Sequence, residues 1–487
     1  MTERTSASAL HTFVFVLCLF LSVGLPAQSA PTRREQPFVP KVCGACIRAH
    51  MEFLASDALR GRGSGTPDEL LAATYVASQL RHYGIQPAGD DGTFIQRGTV
   101  IRQKLSAAPK LGFVAPGALT PSVVWTHGTQ LLALQLTQAR FRGPLKRVDS
   151  ENLAKSPPDL KGAVVLISGN DEDKVREATE SSLGAAAVAV LAPASSKRLN
   201  NWDERAHELP QLAATIEGGE AGALGEQGDV FSVRPEAMSE LRELPEGTSV
   251  EFDATPSSPE KSYTWNVVGK LPGRDPQLRK SAILLTAHLD HLGVGKAVNG
   301  DRIYNGADDD ASGTTAVLEL ARALASGSKP RRTVIFALFG SEEVGGLGST
   351  WFRAHPPVPL TSIAANLEFE MIGRPDPKYA RDSLWLTGWE RSNLGPVLAA
   401  QGARLVADRR LDEQFFMRSD NYVLAQRGVV AQTVSSYGMH GDYHQPSDDL
   451  AHIDFRHMTV AIGSLIAPLE WLANSDFRPR WRKGMEP

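Results

Sequence analysis

Three consecutive aspartates, Asp308, Asp309 and Asp310, lie between a Gly-Ala pair and an Ala-Ser-Gly segment. Carboxylates packed this closely repel one another unless a cation or hydrogen-bond donors hold them. The apolar periodicity of residues 314–326 predicts a helix, which places the three acids at its entrance. An acidic turn that caps a helix would carry the same residues. This segment therefore leaves both a helix cap and a metal site open.

Histidine and carboxylate side chains recur where other predicted strands end. They follow the apolar runs 282–286 and 334–339, lie on the predicted strand 363–372, or stand near the C-terminus: His288, Asp290, Glu342, Glu343, Glu368, Glu370 and His444. Ligands of open α/β sheets bind at the carboxyl ends of the strands. We therefore expect these groups to meet at one site.

The mixture of imidazole and carboxylate groups favours zinc or a similar transition metal over magnesium or calcium, which prefer oxygen ligands. A catalytic zinc ion takes about four ligands and keeps one position for water. Two ions about 3.5–4 Å apart share a carboxylate. Five residues can provide the ligands of two zinc ions: His288, Asp309, Glu343, Glu370 and His444. Glu342 is not needed as a ligand in this arrangement. Asp290 is placed to orient the His288 ring through its second nitrogen.

The composition excludes some functions and suggests a compartment. The 51 basic and 55 acidic residues nearly balance, which argues against a protein that binds nucleic acid through bulk charge. Arg4, the apolar run 12–25 and the small residues 27–30 predict a secretory signal peptide over residues 1–30. An uncleaved anchor is the alternative, but the run is short for a membrane span. We expect an exported protein, secreted or periplasmic, with no membrane span after cleavage.

Two of the three cysteines, Cys43 and Cys46, lie beyond the predicted signal peptide. In an exported protein such a pair can form a small disulfide loop. A cysteine zinc site would need a second pair, which the sequence lacks. We predict a structural role for the pair.

The pattern of elements predicts an α/β fold with a mostly parallel central sheet flanked by helices and a smaller inserted α/β domain. We expect an N-terminal helical part over 31–111, the insert over 112–262 and a catalytic domain over 263–487. Thr66-Pro67-Asp68-Glu69 predicts a helix start with a capping box. Residues 184–191 are predicted to form one strand of the insert.

The order of the motifs resembles the dinuclear zinc aminopeptidase family, which includes bacterial leucyl aminopeptidases, glutamate carboxypeptidase and the transferrin receptor. The motifs are His-x-Asp, Gly-Ala-Asp-Asp-Asp-Ala-Ser-Gly, Ser-Glu-Glu, Glu-Met-Ile-Gly-Arg and Tyr-His. The resemblance implies a zinc-exopeptidase fold, and the insert resembles a protease-associated domain.

Carried over by position, the resemblance implies that Asp309 bridges two zinc ions and precedes a cis peptide bond. His288 and Glu370 would complete one zinc site, and Glu343 and His444 the other. Glu342 would be the general base. Many family members have Asp in place of Glu370, and Glu368 is its rival on the same strand face.

The favoured function is an exported metal-dependent aminopeptidase that acts on peptides with a free N-terminus. A related dizinc carboxypeptidase or dipeptidase and a non-catalytic binding relative remain alternatives. A glutaminyl-cyclase-like enzyme would use one metal, whereas the sequence offers ligands for two. Four further residues could line the pocket or support the ligands: His291, Asp420, His440 and Asp448.

Overall fold

The computed structural model describes residues 41–151, 159–218 and 228–487. The predicted signal peptide lies outside these ranges. The helices of the described ranges are α1 Gly44–Leu54, α2 Pro67–His82, α3 Glu172–Gly184, α4 Ser196–Asn200, α5 Trp202–Ala206, α6 Pro235–Glu243, α7 Gly313–Ser326, α8 Leu347–Ala354, α9 Leu394–Ala400, α10 Asn421–Ala425 and α11 Phe455–Asn474.

The strands in chain order are β1 Gln86–Pro87, β2 Ile95–Arg102, β3 Lys110–Val114, β4 Val123–Thr126, β5 Leu131–Gln135, β6 Arg140–Asp149, β7 Val164–Ser168, β8 Ala189–Pro193, β9 Thr215–Ile216, β10 Asp229–Val233, β11 Ser249–Asp253, β12 Glu260–Leu271, β13 Ala282–His288, β14 Gly293–Val298, β15 Asp301–Tyr304, β16 Thr333–Phe339, β17 Ile363–Phe369, β18 Leu384–Leu386, β19 Leu405–Ala407 and β20 Ala431–Ser435.

The larger sheet has the strand order β19-β18-β20-β17-β13-β16-β12-β2-β9, with β1 paired to β12. Its centre is parallel, because β13 pairs in parallel with β16 and β17, and β17 does so with β20. The outer strands β12, β2 and β9 run antiparallel. The α/β class with flanking helices is confirmed, and the parallel pairing is concentrated at the centre.

Alternate residues of β13 face two separate hydrophobic layers. Ile283 and Leu285 pack with the apolar faces of α1, α2, α7 and α11. Leu284 packs on the opposite face with Phe352 of α8 and Val423 of α10. A strand covered on both faces carries a continuous apolar run, which is why 282–286 lacks polar alternation.

A second sheet of eight strands lies between β2 and β12 in the chain, with the order β4-β3-β11-β6-β7-β8-β10-β5. Its central strands β6, β7, β8 and β10 are parallel. The predicted strand 184–191 is shorter than expected, because α3 continues to Gly184 and β8 begins at Ala189. Ala186 has a φ of 59°, which turns the chain between the two elements.

The first two helices begin with local caps, and a hydrogen bond from Cys43 connects the first of them to α7. Cys43 caps α1, is bonded to Cys46, and donates its backbone N–H to Glu319 at 2.5 Å. Thr66 caps α2 as predicted. Glu69, however, does not bond the N–H of Thr66; its carboxylate accepts from Gly65 N–H at 2.6 Å and from β12. Within the described ranges, no helix combines the length and apolar content that crossing a membrane requires.

Candidate active site

The predicted site residues gather where three neighbouring parallel strands end. His288 is the last residue of β13, and Glu342 and Glu343 follow β16 after a turn at Gly340-Ser341. Glu370 directly follows β17. Because β16, β13 and β17 are adjacent in the sheet, their carboxyl ends bring these side chains to one edge.

Each of the three consecutive aspartates makes different contacts. Asp309 faces the centre, with Oδ1 3.0 Å from His288 Nε2. Asp308 instead accepts from Gly373 N–H at 2.7 Å and lies 3.0 Å from His440 Nε2. Asp310 accepts from the backbone N–H groups of Gly313 and Met371, both at 3.0 Å. The Asp309–Asp310 peptide bond is cis.

Asp309 and Glu343 form the middle of the site. The ligand atoms of His291, Asp309 and Glu343 lie within 4.8 Å of one another, an arrangement that could hold a metal ion. His444 Nε2 approaches both carboxylates, at 3.3 Å from Asp309 Oδ2 and 3.1 Å from Glu343 Oε2. His291 Nδ1 lies 2.6 Å from Glu343 Oε1. Two imidazoles thus meet one carboxylate pair.

The residues present fit bound metal ions. His288 is buried, and its ring nitrogens form no well-aligned hydrogen bond with a described residue, although Nε2 lies 3.0 Å from Asp309 Oδ1. The buried Nε2 of His444 likewise lies near two carboxylates without such a bond, and His291 Nε2 is buried without a partner among the described residues. A buried polar atom without a partner is costly unless a ligand satisfies it. Nitrogen and carboxylate donors around one point are the ligands that zinc prefers.

Asp290 holds the segment that carries the two glutamates. It accepts from the backbone N–H groups of Glu342 at 3.0 Å and Glu343 at 3.4 Å, and from Ser64 Oγ at 2.5 Å. Its Oδ1 also lies 3.7 Å from His288 Nδ1. The predicted contact with His288 is therefore longer than the contacts with the Glu342 segment.

Asp448 anchors the aspartate segment from the opposite side. Its carboxylate accepts from the backbone N–H groups of Asp308 and Asp309, at 3.0 Å each. Arg374 binds Asp448 at 3.2 Å and Asp442 at 2.7 Å, which fixes the loop that carries His444.

The surroundings shift the pKa values of two central carboxyl groups in opposite directions. Burial raises the pKa of Glu342 well above its ordinary value, and the nearby carboxylate of Asp420 raises it further. Burial alone would also raise the pKa of Asp309. The contacts with His288 and His444 outweigh burial and hold the pKa of Asp309 well below its ordinary value. Glu342 is thus the carboxyl best suited to take up a proton, and Asp309 the one best suited to stay ionised.

Glu370 and its rival Glu368 have different surroundings. Glu370 lines the same cleft as Asp309 and Glu343. Glu368 is fully buried in the sheet, where it accepts a short hydrogen bond from Thr286 Oγ1. The cleft continues past Glu370 along aromatic and apolar walls formed by Met371, Trp385, Phe415, Tyr437 and Tyr443, with Arg418 among its lining residues.

Sequence reasoning did not place His291 in the centre or identify the residues of the cleft wall. His291 stands three residues after His288, and its proximity to the motif was the available signal. Trp385, Phe415 and Arg418 belong to segments with no recognisable motif. They become neighbours of the site only because β18 and the segment 411–419 fold beside β20.

Comparison with known proteins supports this description. Residues 266–468 match the model of Peptidase family M28. The chain is 33% identical over 117 residues to leupeptin-inactivating enzyme 1 of Streptomyces exfoliatus, covering 24% of each chain. It is 35% identical over 117 residues to an aminopeptidase of Pseudomonas aeruginosa, covering 24% of this chain and 19% of the relative. The matches thus span a quarter or less of these relatives.

A solved structure extends the likeness of the fold over most of the chain. The aminopeptidase from Aneurinibacillus sp. strain AM-1 superposes with a TM-score of 0.51 at 18% identity, covering 89% of this chain and 95% of the other. At this level of identity the likeness shows the fold. Together with the family match, it confirms the resemblance to the dinuclear zinc aminopeptidases.

Proposed function

We propose that this chain, whose residues 266–468 match Peptidase family M28, is an exported metal-dependent aminopeptidase that removes N-terminal residues from peptides. One observation carries the proposal. Buried imidazole nitrogens that form no well-aligned hydrogen bond lie around Asp309 and Glu343, and the half-buried Glu342 stands beside them in an open cleft. Metal ligands, a free carboxyl group and room for a substrate are the requirements of a hydrolytic metal site.

Two zinc ions are the proposed cofactors, held by His288, Asp309, Glu343, Glu370 and His444, with Asp309 shared. When bound, zinc supplies positive charge that polarises a peptide carbonyl and makes water more acidic. His291 is a further candidate donor, because its ligand atom belongs to the close group with Asp309 and Glu343.

The protein's own residues supply the proton transfers. Glu342 is proposed to take a proton from the attacking water and to return it to the nitrogen of the leaving amine. Burial raises the pKa of Glu342 above its ordinary value, which makes its carboxylate a stronger base than an exposed one. Asp290 fixes the backbone of Glu342 through the 3.0 Å hydrogen bond and so keeps the carboxyl group in the cleft.

The carboxylates of the cleft also suit a substrate with a free amino terminus. Of the four that line it, Asp309, Glu343 and Glu370 are proposed zinc ligands, and Glu342 is the carboxyl group left to face the ammonium group of a substrate. We propose peptides with a free N-terminus as the substrates, and neither nucleic acid nor membrane as a partner.

The domain organisation is part of the proposal. We propose residues 1–30 as a signal peptide, residues 112–262 as an insert of the protease-associated type, and residues 263–487 as the catalytic domain. The second sheet spans Lys110 to Asp253, and β12 returns the chain to the larger sheet at Glu260. This agreement supports the proposed limits of the insert.

The test is hydrolysis of aminoacyl-p-nitroanilides by the protein without residues 1–30. Each substrate is paired with its N-acetylated form, and activity is measured as purified, after chelation and after zinc is restored. We expect activity that chelation removes, that zinc restores and that the N-acetylated substrates do not show.

Two results would contradict the proposal. Activity that survives complete removal of metal would exclude metal-dependent catalysis. Cleavage of N-acetylated peptides from their C-terminus, without cleavage of free-amine substrates, would identify a carboxypeptidase instead.

A further inference from the structure

The aromatic part of the cleft contains hydrogen-bond donors that the protein itself leaves without good acceptors. Trp385 lines the cleft and is 2% exposed, and its indole Nε1 is buried with no acceptor among the described residues. Arg418 lines the same cleft, with 48% of its side chain exposed. Its described polar contacts are with Glu413, at 3.8 Å from the carboxylate and 3.4 Å from the carbonyl oxygen.

The aromatic walls hold these two donors in one region. Phe415 stacks on Trp385 with ring centroids 5.3 Å apart, and the Arg418 guanidinium lies 5.1 Å from the Phe415 centroid. Tyr437 meets the edge of Phe415 at 6.0 Å.

Two other polar side chains of this wall are already occupied. Thr433 Oγ1 donates to Asn421 Oδ1 at 2.9 Å, and Ser435 Oγ donates to the Met371 carbonyl at 3.2 Å. Ser419 Oγ and Trp385 Nε1 are neutral donors of the wall without an acceptor among the described residues, and Arg418 is its charged donor.

The charges of the cleft lead to the same conclusion. Its lining residues include four carboxylates, those of Asp309, Glu342, Glu343 and Glu370, and one permanent cation, Arg418. The two zinc ions of the proposed function would balance the four carboxylates. Arg418 would then be left as the positive charge available to an anionic ligand.

We infer that Arg418 and Trp385 form a subsite that binds a carboxylate of the substrate. The inference rests on the proposed function, since it names the substrate group that the same cleft selects. The carboxylate belongs either to an acidic N-terminal side chain or to the C-terminus of a short peptide. Arginine presents paired N–H donors that match a carboxylate, and such charged hydrogen bonds are stronger than neutral ones.

The experiment compares two pairs of substrates that differ in one charge. Glu-p-nitroanilide against Gln-p-nitroanilide tests the N-terminal side chain, and Leu-Leu against Leu-Leu-amide tests the C-terminal carboxylate. We expect wild-type kcat/KM to favour the charged member of one pair by about 10- to 100-fold. Arg418→Met should bring that ratio close to one.

Two further variants serve as controls. Arg409→Met removes another exposed arginine that lies over an aromatic ring, that of Tyr379 at 5.5 Å, and should leave the ratio unchanged. Arg418→Lys keeps the charge but not the paired donors, and should retain only part of the preference. Ratios near one in the wild type for both pairs, or a ratio that Arg418→Met does not alter, would overturn the inference.

A binding measurement separates this inference from the proposed function. Isothermal titration of the zinc-loaded protein with L-glutamate and with L-glutamine should show tighter binding of L-glutamate, and Arg418→Met should abolish the difference if the acidic side chain is bound. Glycyl-leucine against its amide tests the other source of the carboxylate in the same way. A protein without peptidase activity that still shows an Arg418-dependent preference would refute the proposed function and retain the subsite. An active protein that shows no such preference would refute the subsite and retain the proposed function.

Discussion

At the scale of single residues, Glu342 and Glu343 are neighbours with opposite requirements. Glu343 contacts His291 at 2.6 Å and His444 at 3.1 Å through its side chain, whereas Glu342 is held through its backbone N–H, which donates to Asp290 at 3.0 Å. Glu342 therefore keeps the freedom that a proton carrier needs, and Glu343 is constrained as a ligand would be. This difference gives the first prediction.

Glu342→Gln should lower kcat by about 10²- to 10⁴-fold, because the amide cannot accept the proton of water. The zinc content should stay at the wild-type value, since the proposed ligands are untouched. Steady-state kinetics and elemental analysis of the dialysed protein measure the two quantities. Glu343→Gln is the matched control and should lose zinc as well as activity. Full activity in Glu342→Gln would exclude Glu342 as the base.

A second prediction decides between Glu370 and Glu368. Glu370→Gln should lower the zinc content by about one equivalent, because it removes a proposed ligand at the open cleft. Glu368→Gln should keep the wild-type zinc content, since its carboxyl group is engaged with Thr286 inside the sheet. Elemental analysis of both variants after equal dialysis gives the answer. Loss of zinc in Glu368→Gln alone would make Glu368 the ligand.

How far sequence reasoning reached differs among these residues. The motifs located the region of the site because strand ends in a parallel sheet meet at one edge. The resemblance singled out Asp309 among the three acids, but it assigned no contacts to Asp308 and Asp310, because their partners Gly373 and Met371 are remote in sequence. The ligand roles themselves remain predictions that the zinc measurements will test.

At the scale of elements, Glu69 shows why the predicted capping box of α2 does not form. The Thr-Pro-Asp-Glu pattern predicted a capping box, and Thr66 does cap α2. Glu69 is fully buried and accepts from Thr264 Oγ1 at 2.8 Å, Trp265 N–H at 2.8 Å and Ser341 Oγ at 3.0 Å. These partners are remote in sequence. The start of α2 thus supports the residue before Glu342, a connection that no local pattern encodes.

The packing of α1 on α2 gives a third prediction, which concerns pH. His50 lies between two tyrosines, with Tyr75 Oη 2.8 Å from Nδ1 and Tyr83 Oη 2.8 Å from Nε2. Burial, reinforced by the charge of Arg322, lowers the pKa of His50 from about 6.5 to about 4. A lowered pKa favours the neutral ring in the folded state. Its contribution to stability is therefore present above pH 6.5 and is lost as the pH falls towards 4.

Between pH 7 and pH 4.5, this one group should remove about 2 kcal/mol from the free energy of unfolding. His50→Gln should lack that part of the acid sensitivity. The measurement is urea unfolding of both proteins at the two pH values, with chelator present so that release of metal does not contribute. An equal loss of stability in wild type and His50→Gln would show that His50 does not carry this pH dependence.

At the scale of the whole molecule, two exposed ion pairs connect the segment between β2 and β12 with its surroundings. Lys296 of β14 lies 2.6 Å from Glu204 of α5, and Lys261 of β12 lies 2.6 Å from Glu217 beside β9, and such exposed pairs add little stability. The strand β9 adds a firmer link, because it extends the edge of the larger sheet beside β2 and buries Ile216. The stability of the catalytic centre must therefore come mainly from within the larger sheet and its ligands.

That dependence leads to the last prediction, which concerns removal of metal. Without ions, the buried carboxylates of Asp309 and Glu343 face each other with only imidazoles between them, and like charges in a buried site oppose folding. Ions that bind only the folded chain, at about 1,000 times their dissociation constant, add about 4 kcal/mol. For a chain of this length we expect chelation to lower Tm by about 4–8 °C. Differential scanning calorimetry with and without chelator measures the shift, and Glu343→Gln should respond much less than the wild type. If chelation leaves the wild-type Tm unchanged, these residues hold no ion that stabilises the folded protein. The zinc assignments would then be wrong.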